Sequence, residues 1–315
     1  MNRFACALSL LGFCALASSA QTIHPEATLN SPVPIERATT CDNGAQLAGL
    51  GKDGALYLWT LPSAEPRKIA LPEGKPDRFA CGTGKTFLAG FSGGKVLLLD
   101  STTGEVRGRL DAQHDIQGLA LSPDGLFVAT GTNRTPTQLW DARSGKLIFT
   151  TATIMGGSRA VAFSPGGELI VSLDEDAFIR GYDRQGKMLF ITHDGLLQPY
   201  NVMFTRDGKQ FAVTGAAGDI SLFDSSSGKH LNASAVTGHP MFESTISPDS
   251  KRILAIGIDD FTMDNSLLAL WDMHSEAVTP LAFESKSLIG LGANKTNLLL
   301  IKKESPQKLA LYSIQ

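Results

Sequence analysis

Three observations predict an all-β chain folded as a seven-bladed β-propeller of four-stranded blades. First, a bulky apolar or aromatic residue recurs at Trp59, Leu99, Trp140, Tyr182, Phe223, Trp271 and Tyr312, often followed by Asp. The intervals are 40, 41, 42, 41, 48 and 41 residues, a period suited to four-stranded propeller blades. Second, each interval holds two tight-turn signals between apolar runs too short for helices. Third, no helical period appears between residues 21 and 315, so nothing competes with strands. Seven repeats fill 21–315 as one domain.

Composition agrees. The chain has 315 residues, 43% hydrophobic and 19% charged, enough apolar surface for a sizeable core. Gly (32) and Pro (15) suit many strands joined by tight turns. The net charge is −3 and no basic run occurs, which argues against a nucleic-acid partner.

Taken in order, residues 1–20 read as a signal peptide. Arg3 supplies a positive charge, Phe4 to Ala17 is apolar, and Ala17-Ser18-Ser19-Ala20 offers a small-residue cleavage site. No second hydrophobic span follows, so the expected mature chain is exported, periplasmic or extracellular, soluble, free of membrane insertion and monomeric. Cys6 and Cys14 leave with that segment; Cys41 and Cys81 remain.

Thr22 to Leu29 precedes the first repeat and has no blade of its own, while the last repeat stops at its third strand, Lys308 to Ile314. The N-terminal strand is therefore expected to complete the seventh blade and cover its open edge. Within each repeat a first strand, such as Ile35 to Thr40, runs into a turn. Examples are Ser122-Pro123-Asp124-Gly125, Ser164-Pro165-Gly166-Gly167, Thr205-Arg206-Asp207-Gly208 and Ser247-Pro248-Asp249-Ser250. A second strand follows, then the third with its aromatic and Asp, then a Gly turn such as Ser144-Gly145-Lys146 or Ser227-Gly228-Lys229. Pro and Gly at these points set the backbone angles a hairpin needs.

The Ser-Pro-Asp-Gly turn, the Trp-Asp strand and the Gly-Lys turn resemble WD40 repeats, best over 116–152 and 199–238. The resemblance implies a propeller and, in function, a protein-interaction scaffold. The Gly-His of that family survives only at Gly238-His239, with His114 and His193 near it in other repeats. The Asp six residues before the aromatic is kept as Asp53 and Asp176, and replaced by Gly93, Arg134, Ala217, Asn265 and Pro306. The family's buried Asp–His–Ser/Thr–Trp network is therefore incomplete in most blades, which must lean on packing.

Cys41 and Cys81 each stand 18 residues before their marker, where Ser122, Ser164 and Thr205 stand elsewhere. Both lie at the first-strand turn of adjacent blades. A disulfide and two separate thiols standing in for turn serines are both open readings.

Several motifs imitate catalytic ones. Gly82-Thr83-Gly84-Lys85-Thr86 ends like a phosphate loop, but Phe79 stands where the first glycine belongs and a strand follows instead of a helix. Gly90-Phe91-Ser92-Gly93-Gly94 matches a nucleophile elbow, again followed by a strand. Asp174-Glu175-Asp176 reads as a solvated turn with one structural Asp. No His pair has zinc-ligand spacing. No catalytic residue, cofactor or metal is expected. Asn133, Asn232 and Asn294 head glycosylation sequons, relevant only in a eukaryotic secretory pathway.

The one long interval, 48, adds residues between the second and third strands of repeat six, Ile258 to Asn265. Phe261 and Met263, with Asp259 and Asp260, suit an interface on the face where blades are joined. Arg134, Arg159, Asp194, Lys302 and Lys303 are further candidates on that face. The reading is an exported, non-catalytic protein-interaction scaffold. The alternative is a propeller enzyme, or a small-ligand or metal binder, using the mouth of the central channel. Arg159, Glu243 and the loop carboxylates would be its groups.

Overall fold

The structure, a computed structural model of the chain, describes residues 21–81, 86–151, 156–193, 198–235, 240–258, 265–284 and 287–314. The described residues form 28 strands in seven four-stranded antiparallel sheets. β1 is Ile23–Asn30. Blade one is β2 (Ile35–Cys41), β3 (Gln46–Gly51), β4 (Leu56–Thr60) and β5 (Arg67–Ile69). Blade two is β6 (Arg78–Cys81), β7 (Thr86–Gly90), β8 (Lys95–Asp100) and β9 (Val106–Asp111). Blade three is β10 (Ile116–Leu121), β11 (Phe127–Thr132), β12 (Gln138–Asp141) and β13 (Leu147–Thr150). Blade four is β14 (Ser158–Phe163), β15 (Ile170–Asp174), β16 (Ile179–Tyr182) and β17 (Met188–Thr192). Blade five is β18 (Pro199–Phe204), β19 (Gln210–Gly215), β20 (Asp219–Asp224) and β21 (His230–Ala235). Blade six is β22 (Met241–Ile246), β23 (Arg252–Ile258), β24 (Asn265–Asp272) and β25 (Val278–Pro280). Blade seven is β26 (Leu288–Ala293), β27 (Leu298–Ser305) and β28 (Lys308–Ile314), with β1 as its fourth strand.

The closing strand is the one expected from the sequence. β1 runs antiparallel to β28, from Ile23 opposite Ile314 to Asn30 opposite Lys308. It buries Leu29 completely, and the Asn30 carbonyl accepts from Trp59 Nε1 of blade one at 2.8 Å. β1 thus ties blade seven to blade one.

The repeat signals have local causes. In blade three Ser122 Oγ donates to Asp124 Oδ1 (2.6 Å) and accepts from Phe127 N–H (2.9 Å). Thr205 with Asp207 and Ser247 with Asp249 repeat the arrangement. Where an Asp follows the aromatic, as in blades three, five and six, it caps the next turn. Asp141 accepts from the Ser144 backbone and hydroxyl, Asp224 from Ser226 and Ser227, Asp272 from His274 and Ser275. Such side-chain-to-backbone bonds fix turns that the hairpins require.

The core lies between blades. Leu50, Leu58, Phe87 and Leu97 pack blade one on blade two. Leu173, Phe190, Phe211 and Phe223 pack four on five, with Phe211 and Phe223 stacked at 5.0 Å. Leu29, Trp59, Ile301 and Leu311 close seven on one. Backbones approach closely at that seam: a Cβ on Gly290 would overlap the Ala38 carbonyl oxygen.

Three readings are refined or corrected. The seventh marker is Ile314, not Tyr312. Ile314 is fully buried opposite Leu298, as Trp59 is opposite Leu47, whereas Tyr312 is partly exposed with its hydroxyl donating to Glu304 (2.8 Å). An isoleucine fills the pocket, and the nearby aromatic drew the sequence reading two residues early. The carboxylate run in blade four holds two structural aspartates where one was expected: Glu175 is exposed in the turn, but Asp174, fully buried, and Asp176 both pair with a 2% exposed Arg180. The incomplete polar network is visible at the tryptophans. Trp140 Nε1 donates to Thr130 Oγ1 (2.9 Å), Trp59 uses a backbone carbonyl, and Trp271 Nε1 is buried with no acceptor among the described residues.

Candidate functional site

The strand directions decide which residues share a face. Each first strand descends from the blade-to-blade connection, so its opening residues lie on the connecting face, as do the loops between second and third strands. In six blades the first strand carries a β-bulge at this level, between Ile35/Arg37, Ile116/Gly118, Ser158/Ala160, Pro199/Asn201, Met241/Glu243 and Leu288/Gly290. A bulge inserts a residue and re-aims side chains. Here it alters the alternation at the channel mouth, where all side chains would otherwise pack between blades.

Along the axis lies a cavity of about 840 Å³, lined among others by Arg37, Arg78, Gln117, Arg159, Tyr200 and Glu243. These side chains also lace neighbouring blades. Arg37 Nη1 donates to the Asp77 carbonyl (3.2 Å), joining blades one and two. Arg78 Nε donates to the Gln117 carbonyl (3.4 Å), joining two and three. Thr137 Oγ1 donates to Ser158 Oγ (2.9 Å) between three and four. The Arg159 guanidinium lies 5.8 Å from the Tyr200 ring centre between four and five. Asn201 Nδ2 donates to Ser244 Oγ (2.9 Å), Leu291 N–H to Glu243 Oε1 (2.9 Å), and Ala293 N–H to Thr40 Oγ1 (3.0 Å), completing the circuit.

The electrostatics are lopsided. Burial and the adjacent Arg37 charge pull the Arg78 guanidinium below its ordinary value, with Asp77 working the other way. Burial pushes the Glu243 carboxyl up, opposed by the Leu291 N–H and the Arg37 charge. None of Arg37, Arg78 and Arg159 forms an ion pair among the described residues. Arg159 Nε is buried without an acceptor among them.

At the opposite face, where these first strands end, Cys41 of β2 and Cys81 of β6 meet in a disulfide with Cα atoms 5.4 Å apart. The bond joins the inner strands of blades one and two.

The outer rim carries a second feature. β5 and β9 present Arg67, Lys68, Arg107 and Arg109 along their edges, the usual protection of an unpaired strand. β13 and β17 have none. Leu147 and Ile148 on β13, Met188, Leu189 and Ile191 on β17, and Leu231 on β21 are each between 42% and 49% exposed. These three strands end their sheets, so one side of each lacks a partner strand within its sheet. They follow one another round the rim, Phe149 packing on Gly186 and Phe190 on Gly228.

Of the residues singled out from the sequence, Arg134 is exposed on the connecting face and Arg159 enters the channel. Lys302 is held by Glu284 (3.0 Å) and lies over the Phe283 ring. Residues 1–20, Gly82 to Lys85, Asp194, Gly238-His239, Asp259, Asp260, Phe261 and Met263 lie outside the described residues. Sequence reasoning missed Arg37 and Arg78. Their signal was position: each stands in a first strand a few residues before its cysteine. Among the described residues no group of three His, Cys, Asp or Glu could hold a metal ion, and no helix is long and apolar enough to cross a membrane.

Comparison with known proteins finds repeat proteins. A nuclear distribution protein nudF of Aspergillus terreus is 28% identical over 152 residues, 47% of this chain and 29% of that protein. Echinoderm microtubule-associated protein-like 4 of Homo sapiens is 27% identical over 228 residues, 68% of this chain and 22% of that protein. An uncharacterized WD repeat-containing protein of Synechocystis is 31% identical over 138 residues, 43% of this chain and 39% of that protein. The matched regions thus span well under half of each of these relatives. No protein-family model matches the chain.

Proposed function

We propose that this chain, a seven-bladed propeller of WD40-type repeats, is a non-catalytic scaffold that binds a protein partner along its outer rim. The carrying observation is the undefended edge of blades three and four. Met188, Leu189 and Ile191 expose apolar surface on a strand whose outer side lacks a partner strand in its sheet. Blades one and two guard the same position with Arg and Lys. An extended apolar segment can add to such an edge, its main chain supplying hydrogen bonds and its side chains meeting the exposed ones. The WD40-type relatives support a binding role, and one of them is named as microtubule-associated.

The proposed setting is an oxidising compartment outside the cytoplasm. Residues 1–20 have the pattern of a cleaved leader, and a disulfide between Cys41 and Cys81 suits such a compartment.

The test is capture from an extract of the source organism with the full chain and with its Leu189→Lys, Ile191→Lys variant as baits. Both positions are exposed, so the variant keeps the fold. A defined protein retained by the first bait and lost by the second supports the rim. Retention by both, or by neither, overturns it.

A further inference from the structure

We infer that the channel mouth is a binding site for a small polyanion, a molecule of metabolite size carrying two or more carboxylate or phosphate groups, gripped by Arg37, Arg78 and Arg159. The inference stands apart from the rim and survives its failure.

The reasoning begins with donor capacity. A guanidinium has five N–H donors and no acceptor. Arg37 places one of them on a carbonyl, and Arg78 places two, at 3.4 and 3.5 Å. Arg159 places none among the described residues, and its Nε is out of water. Bracing the blades therefore uses a minority of the donors that these three side chains bring to one cavity.

Charge points the same way. Arg37 and Arg78 stand close enough to repel, and burial makes that repulsion worse for Arg78. Arg78 and Arg159 are half-buried with the exposed Arg37 beside them at the mouth, and positive charge gathered in this way costs stability unless something answers it. The carboxylates nearby answer it only in part: Asp77 favours the charged Arg78, yet burial and Arg37 outweigh it. Asp77 is engaged by Ser92 Oγ (2.7 Å) and Glu36 by Lys75 (2.6 Å). Glu243 accepts from Leu291 N–H, and burial disfavours its ionised form. An entering oxyanion would supply the missing charge and accept from the free forks in bidentate fashion.

Size and walls favour a small molecule. About 840 Å³ falls in the range of small-ligand pockets. Tyr200 and Phe79 offer aromatic surface to the body of the ligand, and Gln117 offers an amide to its polar groups. A purely structural set of arginines would not need this open space between them.

The test is calorimetric titration of the full chain with citrate and, separately, with inorganic pyrophosphate, at constant ionic strength in a chloride buffer. The expected result is saturable binding of at least one probe with Kd below about 1 mM. Arg78→Gln and Arg159→Gln should weaken it by at least about tenfold. Arg159→Lys, which keeps the charge and loses the fork, should fall between. Arg134→Gln, exposed on the same face, should bind as the parent does. Citrate alone, pyrophosphate alone or both would assign the ligand to carboxylates, phosphates or either. Thermal melts identify any variant that no longer folds, and Arg159→Lys then decides. Failure of both probes to titrate overturns the site, as does equal binding by the parent and the folded Arg78 and Arg159 variants.

Discussion

Asp174, Asp176 and Arg180 show how a single side chain sets the character of a blade. Arg180 Nη1 bonds Asp174, and Nη1 and Nη2 reach Asp176 at 3.0 and 2.7 Å. Burial pushes the Asp174 carboxyl up to about 6, against the pull of Arg180. Burial also works against ionising Asp176, but Arg180 outweighs it and holds that carboxyl below its ordinary value. A raised carboxyl means that the folded chain takes up the Asp174 proton below about pH 6, while the unfolded chain waits until about 4. This group therefore contributes most at acid pH, and its contribution declines as pH rises through 6. Arg180→Met is expected to cost roughly 3–5 kcal/mol at pH 7.5, because two carboxylates lose their counter-charge. At pH 5 the loss should be smaller, since Asp174 can then stay protonated. Urea unfolding at the two pH values checks this, and an equal loss at both would sink it. Asp176 was legible from its place six residues before Tyr182. Arg180 was not, because nothing in its spacing says that the side chain turns inward.

At the scale of elements, β1 and the first-strand turns hold the ring together. β1 buries Leu29, gives Trp59 its acceptor and covers the edge of β28. Burying one leucine is worth about 1.5–3 kcal/mol, and the strand removes an edge as well. Deleting residues 21–30 should therefore cost at least about 3 kcal/mol and promote association, as read by thermal melting and light scattering. An unchanged melting temperature would contradict the closure. The Cys41–Cys81 bond spans a sequence separation of 40. By loop-closure entropy it should stabilise the fold by up to about 4 kcal/mol. The double Cys→Ala variant, compared with the parent by denaturant unfolding, tests this; a difference below about 1 kcal/mol would show that inter-blade packing holds the seam unaided. The closing strand was legible by counting strands. The bond was left open by the sequence because adjacent inner strands diverge, and only the meeting of the ends of β2 and β6 brings the cysteines within reach.

Across the whole molecule, the seven-fold grammar was written in turns and markers that act locally. Pro, Gly and Asp fix hairpins within a few residues, and alternating apolar runs fix strands. Blade number, chain direction and the closing strand follow from repeating those local choices along 21–315. The two surfaces singled out here did not follow. Arg37, Arg78 and Arg159 are far apart in the chain and share a cavity because closure brings seven first strands round one axis. The undefended rim emerges only when β13 and β17 are seen as outer strands beside the guarded β5 and β9. The sequence by itself determined the strands, their turns and their number, since those depend on neighbours in the chain. The tertiary structure alone decided which charges converge and which apolar strands stay bare, since those depend on distances between residues that the chain holds scores of positions apart.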